Sequence, residues 1–294
     1  MFSYIHFCLD VLGIMADLEK IIYTAEAKEK IERIVGWWTE KLQVIADFDK
    51  TLTYWNQPSI IAVLYNYNYL SEDYSKKAKE LENFYMPKEE DRNIPFDERK
   101  TLTNEWWTKH EQLLIDSGLS KKHIENVVNS WILNLREWCH DMLDQLNLLW
   151  IPVIILSASW LWTDSIAVYL REHLNKNQKL YIISNEYNWD ENWLAIWRNE
   201  PVITSLNKNE TVISESRFPN IYHEIQWRKN IMLLWDKIED LNMSDGVDAE
   251  IVLKIWFLNS WSNEKLEFYK QYFDIIIDWE LWMQEIQKII NLFC

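Results

Sequence analysis

Residues 42–53 read LQVIADFDKTLT, an apolar, β-prone run that ends in two aspartates one residue apart. Val44, Ile45 and Ala46 suit the interior of a buried strand, and Asp47 falls where that strand leaves its sheet. Ligands of open α/β sheets bind beyond the carboxyl ends of the strands. In extended chain Asp47 and Asp49 share one face, so both carboxylates can meet the same ligand. One can then act as nucleophile while its neighbour handles protons. The structural alternative is an acidic corner that solvates a turn.

Three further segments bear on the choice. Residues 151–159, IPVIILSAS, form a second apolar strand that ends at Ser157. A hydroxyl and backbone N–H groups at such a strand end, at Ser157 and Ala158, can hold phosphoryl oxygens. Lys208, in Asn207–Lys208–Asn209, is a cation able to balance the charge gathered there. Residues 230–240, NIMLLWDKIED, form a third strand ending in Asp236, with Asp240 one helical turn on. Oxygen ligands of this kind hold a hard cation. A lone lysine is usually a solvated surface charge; here its place in an ordered set gives it meaning.

With its Thr51–Leu52–Thr53 tail, the first string resembles the opening motif of the haloacid dehalogenase (HAD) phosphotransferases. The segments EWWTKH, YIISNEYNWDEN and LLWDKIEDLNMSDGVDAEIVLKIWFLN narrow the resemblance to the cytosolic 5′-nucleotidase III, or pyrimidine 5′-nucleotidase, family. The similarity runs from about Lys41 to the C-terminus and is weakest near residues 55–100. The resemblance implies an α/β fold: a HAD-like Rossmannoid parallel sheet with an inserted all-helical cap. It also implies Mg²⁺-dependent hydrolysis of nucleoside 5′-monophosphates through an aspartyl-phosphate. Carried over by motif, Asp47 is the nucleophile and Asp49 the acid and base. Ser157, Ala158 and Lys208 grip the phosphoryl group. Asp47, Asp49 (through its backbone carbonyl) and Asp236 hold Mg²⁺, and Asp240 supports them. Glu105 and Trp107 face the base, with CMP or UMP the expected substrates; Trp107 would also suit the cationic ring of 7-methylguanosine monophosphate by stacking and cation–π attraction. Two positions depart from the family: Lys237 stands where a small residue follows the metal aspartate, and His110 directly follows Thr108–Lys109.

The tryptophans are a second anomaly. Glycine normally makes up about 7 % of residues, so a chain of this length would carry about 20. This one has 4, with 19 tryptophans. Trp160, Trp162 and Trp235 fall where the family has glycines beside phosphate, and Trp138, Trp150, Trp193, Trp197 and Trp256 fall at family glycines or turns. Such loops need φ > 0 or a missing Cβ, which an indole cannot supply cheaply. A genetic code that reads UGA as glycine, translated with UGA as tryptophan, would produce this pattern. Trp106 and Trp107 match aromatic positions of the family and are read as genuine.

The remaining features bound the architecture. At 294 residues and 48 % hydrophobic, the chain can bury a full core. A net charge of −16 argues against a nucleic-acid polymer as partner. It does not argue against a small nucleotide, whose local field is set by Lys208 and a cation. Cys8, Cys139 and Cys294 are scattered, which suits a reducing cytoplasm. The segment 1–14 reads as a start-site extension before Met15, too short to span a bilayer. Apolar residues at helical spacing predict an amphipathic lead-in helix over 16–35. Residues 58–146 read as the helical cap, and 15–57 with 147–294 as the core. There KLYIISN and FDIIID join the strands already named. The expected protein is a cytoplasmic monomer. Its rivals are a phosphatase for another small phosphomonoester, such as phosphoserine, and a non-catalytic binding protein on the same scaffold.

Overall fold

The computed structural model describes residues 21–36, 39–130, 132–159, 162–173, 179–198, 200, 202–208, 217–237, 248–258, 263–278 and 283–293, with backbone alone at 162–164, 171–173 and 263–265. Its centre is the run that opened the sequence. Leu42–Ala46 forms strand β2, and every residue of it is buried. Around it lie β1 (Ile21–Tyr23), β3 (Val153–Leu156), β4 (Leu180–Ile183), β7 (Asn230–Trp235), β8 (Ile251–Leu258) and β9 (Ile275–Asp278). They form one sheet in the order β1-β9-β8-β7-β2-β3-β4, while β5 (Tyr187–Trp189) and β6 (Ala195–Arg198) form a separate hairpin. All pairs in the large sheet are parallel except β1 with β9 at the edge.

Alternate residues of the strands feed two cores, as a sheet covered on both faces requires. Val44, Ala46, Ile155 and Leu234 pack on one side with helices α1 (Ala25–Gly36), α6 (Cys139–Leu148) and α10 (Gln284–Asn291). Ile45, Ile154, Leu233 and Trp235 pack on the other, against Ile225 of α8 (Pro219–Ile225) and Leu266 of α9 (Asn263–Tyr269). Helix α7 (Trp162–His173) follows β3. This is the α/β arrangement expected. Between β2 and β3 the described elements are helical: α2 (Ile60–Asn66), α3 (Glu72–Glu90), α4 (Phe96–Asp116), α5 (Lys121–Val128) and α6.

Three local differences from the sequence reading have physical causes. Ile21 and Ile22 belong to β1, not to a lead-in helix. They pair with Ile277 and Ile276, and α1 starts only after Thr24, whose Oγ1 accepts the Ala27 N–H at 3.2 Å. Strand β8 was hidden because Lys254 interrupts its apolar run. The β5–β6 hairpin is short and part-exposed, and gives no clean alternation. The proposed extension 1–14 lies outside the described residues.

The tryptophans now have backbone angles. Trp138, Trp150 and Trp193 have φ of 65°, 59° and 60°, in the left-handed region. Their side chains are 47 %, 70 % and 57 % exposed, so little burial compensates the strain. That region costs a residue with a Cβ about 1–2 kcal/mol and glycine almost nothing. Trp235 and Trp256 are buried instead, and neither indole N–H has an acceptor among the described residues. Trp197 is exposed, the side chain of Trp162 is not described, and Trp160 lies outside the described residues.

Two outcomes are expected. The gene reads UGA at positions 138, 150 and 193 and UGG at 106; UGG at all four would contradict the glycine reading. In the chain as written, Trp138→Gly raises stability by about 1 kcal/mol, seen as a melting temperature about 2 °C higher.

Candidate active site

The register of three strands builds the site. Ala46 pairs with Ile155 of β3 and with Leu234 of β7, so Asp47, Ser157 and Asp236 emerge together at the carboxyl ends of the strands. The Asp47 N–H extends the ladder by donating to the Leu234 carbonyl at 3.0 Å, and the Ser157 N–H donates to Ile183 at 2.9 Å. Phe48 turns back into the core, fully buried against Tyr169, which leaves Asp47 and Asp49 together on the cleft side. The chain then turns sharply: Lys50 has φ of 63°, its N–H donates to Thr53 Oγ1 at 2.8 Å, and the N–H groups of Leu52 and Thr53 both reach the Phe48 carbonyl.

Asp47 is 7 % exposed and its Oδ1 lies 2.5 Å from Lys208 Nζ, itself 4 % exposed. Lys208 is held by a braced loop. Asn185, just past β4, accepts from the Ile203 N–H and donates to the Ile203 carbonyl, each at 2.8 Å. Asn207 accepts from the Thr204 N–H at 2.6 Å. Asn185 therefore serves the site indirectly, through this loop.

Asp49 Oδ1 accepts the N–H of Ile60, the first residue of α2, at 3.2 Å. Its carboxyl is pushed up to about 7, mainly by burial and then by the charge of Asp47, against the pull of that N–H and of Lys50 and Lys208. A carboxyl so placed holds a proton near neutral pH and can give it away. Asp236 is also held above the usual carboxylate range, by burial and by Asp47, and accepts from Thr51 Oγ1 at 3.3 Å. The Asp47 carboxylate thus lies within electrostatic reach of Asp236 and disfavours its charge. An all-oxygen donor set at such a point of repulsion fits a hard divalent cation. Asp240 lies outside the described residues.

A cleft opens above these groups, lined by Asp47, Asp49, Ser157, Ala158 and Lys208 and, beyond them, by residues of the inserted helices. Lys50 and Lys237 join Lys208 at the sheet end. The far wall carries Trp106, Trp107, Tyr65 and His110 with the carboxylates of Glu82 and Glu89. Trp106 and Trp107 meet edge to face at 5.2 Å between centroids, and Trp106 stacks on Tyr85. His110 bonds the Tyr74 hydroxyl at 2.8 Å, and burial lowers its imidazole to about 3, so it is neutral.

Glu105 is not brought to this cleft. It sits one residue before Trp106, about 100° around α4, where its side chain is 47 % exposed and pairs with Lys109 at 2.5 Å. The glutamates that do line the cleft are Glu82 and Glu89, and Glu89 is 7 % exposed. It accepts from Ser205 at 2.9 Å and Thr103 at 3.3 Å. In the sequence Glu89 sits among the charges of KEEDR, where nothing marks it off from solvated neighbours.

Residues 51–294 match the family model described as "Pyrimidine 5'-nucleotidase (UMPH-1)". The chain belongs to that family. It is 33 % identical over 259 residues to the 7-methylguanosine phosphate-specific 5′-nucleotidase of Mus musculus, covering 85 % of each chain. It is 29 % identical over 289 residues to the protein of that name from Gallus gallus, covering 94 % of this chain and 97 % of the other. Among solved structures, cytosolic 5′-nucleotidase IIIB bound to cytidine superposes with a TM-score of 0.85 at 26 % identity, covering 97 % of both chains. A protein from Vibrio cholerae described as a "probable phosphoserine phosphatase" shares the fold, with a TM-score of 0.53 at 14 % identity, covering 87 % of this chain and 66 % of that one. The protein is thus a HAD-type 5′-nucleotidase and a phosphoric monoester hydrolase. Among the described residues, no helix is long and apolar enough to cross a membrane.

The buried Asp47–Lys208 pair gives an expected outcome. Lys208→Met leaves Asp47 uncompensated, so phosphate release falls by about 100-fold or more and stability by about 3 kcal/mol, read by steady-state assay and thermal melting.

Proposed function

We propose that this nucleotidase hydrolyses nucleoside 5′-monophosphates through a covalent intermediate on Asp47. The observation that carries the reading is Asp47 against Lys208, with the protonated Asp49 beside it under the start of α2. A carboxylate oxygen of Asp47 attacks phosphorus as the P–O5′ bond breaks, and Asp49 gives its proton to the departing 5′-oxygen. Asp49, now a carboxylate, takes a proton from water. That water's oxygen attacks phosphorus, the bond to Asp47 breaks, and phosphate leaves. Lys208, the Ser157 hydroxyl and the Ala158 N–H hold the phosphoryl oxygens throughout. Mg²⁺, held by Asp47, Asp236 and the Asp49 carbonyl, would supply neutralisation of phosphoryl charge. The inserted helices act as a cap that shields the reaction from water.

Two base preferences have support. The family description and the cytidine-bound neighbour support a pyrimidine such as CMP or UMP. The cleft supports 7-methylguanosine monophosphate more strongly, because cations, indoles and carboxylates all line it. Three lysines line it beside Asp47 and Asp49 at the strand ends, while the inserted helices contribute two indoles and two carboxylates. That suits an anionic phosphate joined to a cationic ring, which aromatic faces and carboxylates stabilise together. The curated relatives named for that nucleotide support the same choice. In this reading Glu89, rather than Glu105, accepts hydrogen bonds from the base, and Trp107 offers the ring face. A relative from Caenorhabditis elegans named as a putative cytosolic 5′-nucleotidase, 27 % identical over 274 residues and covering 90 % of this chain and 72 % of its own length, supports a cytosolic location.

Three assays test this. Asp47→Asn abolishes phosphate release from every substrate; retained release would end the mechanism. The wild-type kcat/KM for 7-methylguanosine monophosphate exceeds that for GMP by about tenfold. Glu89→Gln lowers nucleotide kcat/KM by about 10- to 100-fold but spares p-nitrophenyl phosphate, while Glu105→Gln changes neither. Equal losses on both substrates would remove Glu89 from base recognition.

A further inference from the structure

Arg136 is 1 % exposed and sits in the segment that returns from the inserted helices to the sheet. That segment pairs with the chain leaving the active-site turn. The Arg136 N–H donates to the Leu52 carbonyl at 2.8 Å, and the Tyr54 N–H donates to Asn134 at 3.1 Å. Thr53 and Leu135 form a bridge between them, and the Asn134 N–H is held by Gln57 Oε1 at 2.7 Å. The two connections of the cap are thus laced to each other immediately beside the catalytic turn.

The Arg136 side chain crosses into that turn. Its Nε donates to the Thr51 carbonyl at 2.9 Å and its Nη2 to the Lys50 carbonyl at 2.5 Å, while its guanidinium lies over the Phe257 ring at 4.7 Å. Two consecutive carbonyls are therefore gripped by one rigid fork, a geometry lysine cannot copy. They belong to the turn whose Lys50 stands in the left-handed region, a conformation that persists only when its surroundings hold it. Thr51 in turn donates to Asp236, and Asp236 lies within electrostatic reach of the guanidinium.

We infer that Arg136 is a positioning residue: it fixes the Asp49–Thr51 turn, and with it the proton-donating carboxyl and the Asp236 contact, to the segment that returns from the inserted helices. It touches neither substrate nor reacting atoms. The inference rests on the function proposed above for this site. Its structural core, the rigidity of the turn, does not need that function to be right.

The experiment compares the wild type with Arg136→Met, Arg136→Lys and Arg136→Ala. In the metal-free proteins, amide hydrogen exchange of the peptide spanning residues 47–54 is expected to speed by about tenfold or more in Arg136→Met, with exchange in β7 and β8 unchanged. In the Mg²⁺-loaded proteins kcat falls by about 100-fold with KM for the nucleotide nearly constant. Arg136→Lys recovers little of this, and added guanidinium ion raises kcat of Arg136→Ala. Unchanged exchange at 47–54 would overturn the inference, as would a uniform loss of protection across the sheet, which marks a merely structural arginine. A wild type that releases no phosphate from any nucleoside monophosphate would defeat the proposed function, while the exchange result would still decide the role of Arg136.

Discussion

The site depends on the register of three parallel strands. Once Ala46 is level with Ile155 and Leu234, the chain has no freedom over where Asp47, Ser157 and Asp236 emerge. Slipping one strand by a residue would turn its reactive side chain into a core and an apolar residue into the cleft. The two apolar cores enforce the register, since alternate residues of β2 are buried on opposite sides. Gathering carboxylates at the strand ends carries an electrostatic cost, visible in the raised carboxyls of Asp49 and Asp236. The buried Lys208 offsets part of it by pairing with Asp47. The arrangement is thus a charge imbalance held in place by packing.

What could be read from the sequence was what periodicity and order along the chain encode. The runs at β2, β3, β7 and β9 were legible because nearly all their residues are buried, and β4 because its run is apolar although half-buried; the carboxyl ends of β2, β3 and β7 located reactive groups. Lys208 was legible only through its place in that order, and the structure puts it against Asp47. The cleft wall was not legible in the same way. Glu105 adjoins the cleft aromatics in sequence, yet adjacency along a helix separates side chains by about 100°. Glu89 and Arg136 act through tertiary contacts with Ser205 and with the Lys50 and Thr51 carbonyls, distant in sequence. No local pattern announces such contacts.

The tryptophans show the same logic in reverse. Composition flagged them, and local sequence placed them at turns, but only backbone angles separate a tolerated surface indole from one in a glycine's conformation. Trp138, Trp150 and Trp193 are of the second kind. Trp106 and Trp107 sit on a regular helix with ordinary angles and form one wall of the cleft. A single residue type thus divides by the physics of its surroundings, and only Trp106 and Trp107 line the cleft.

The most direct measurement is to quench the enzyme in acid during turnover of a nucleoside monophosphate and map covalent phosphate by peptide mass spectrometry. Phosphate on Asp47, within the peptide that spans Leu42 to Thr53, is the result the account requires. Phosphate on another side chain, or phosphate released with no covalent intermediate on a catalytically competent timescale, would contradict it.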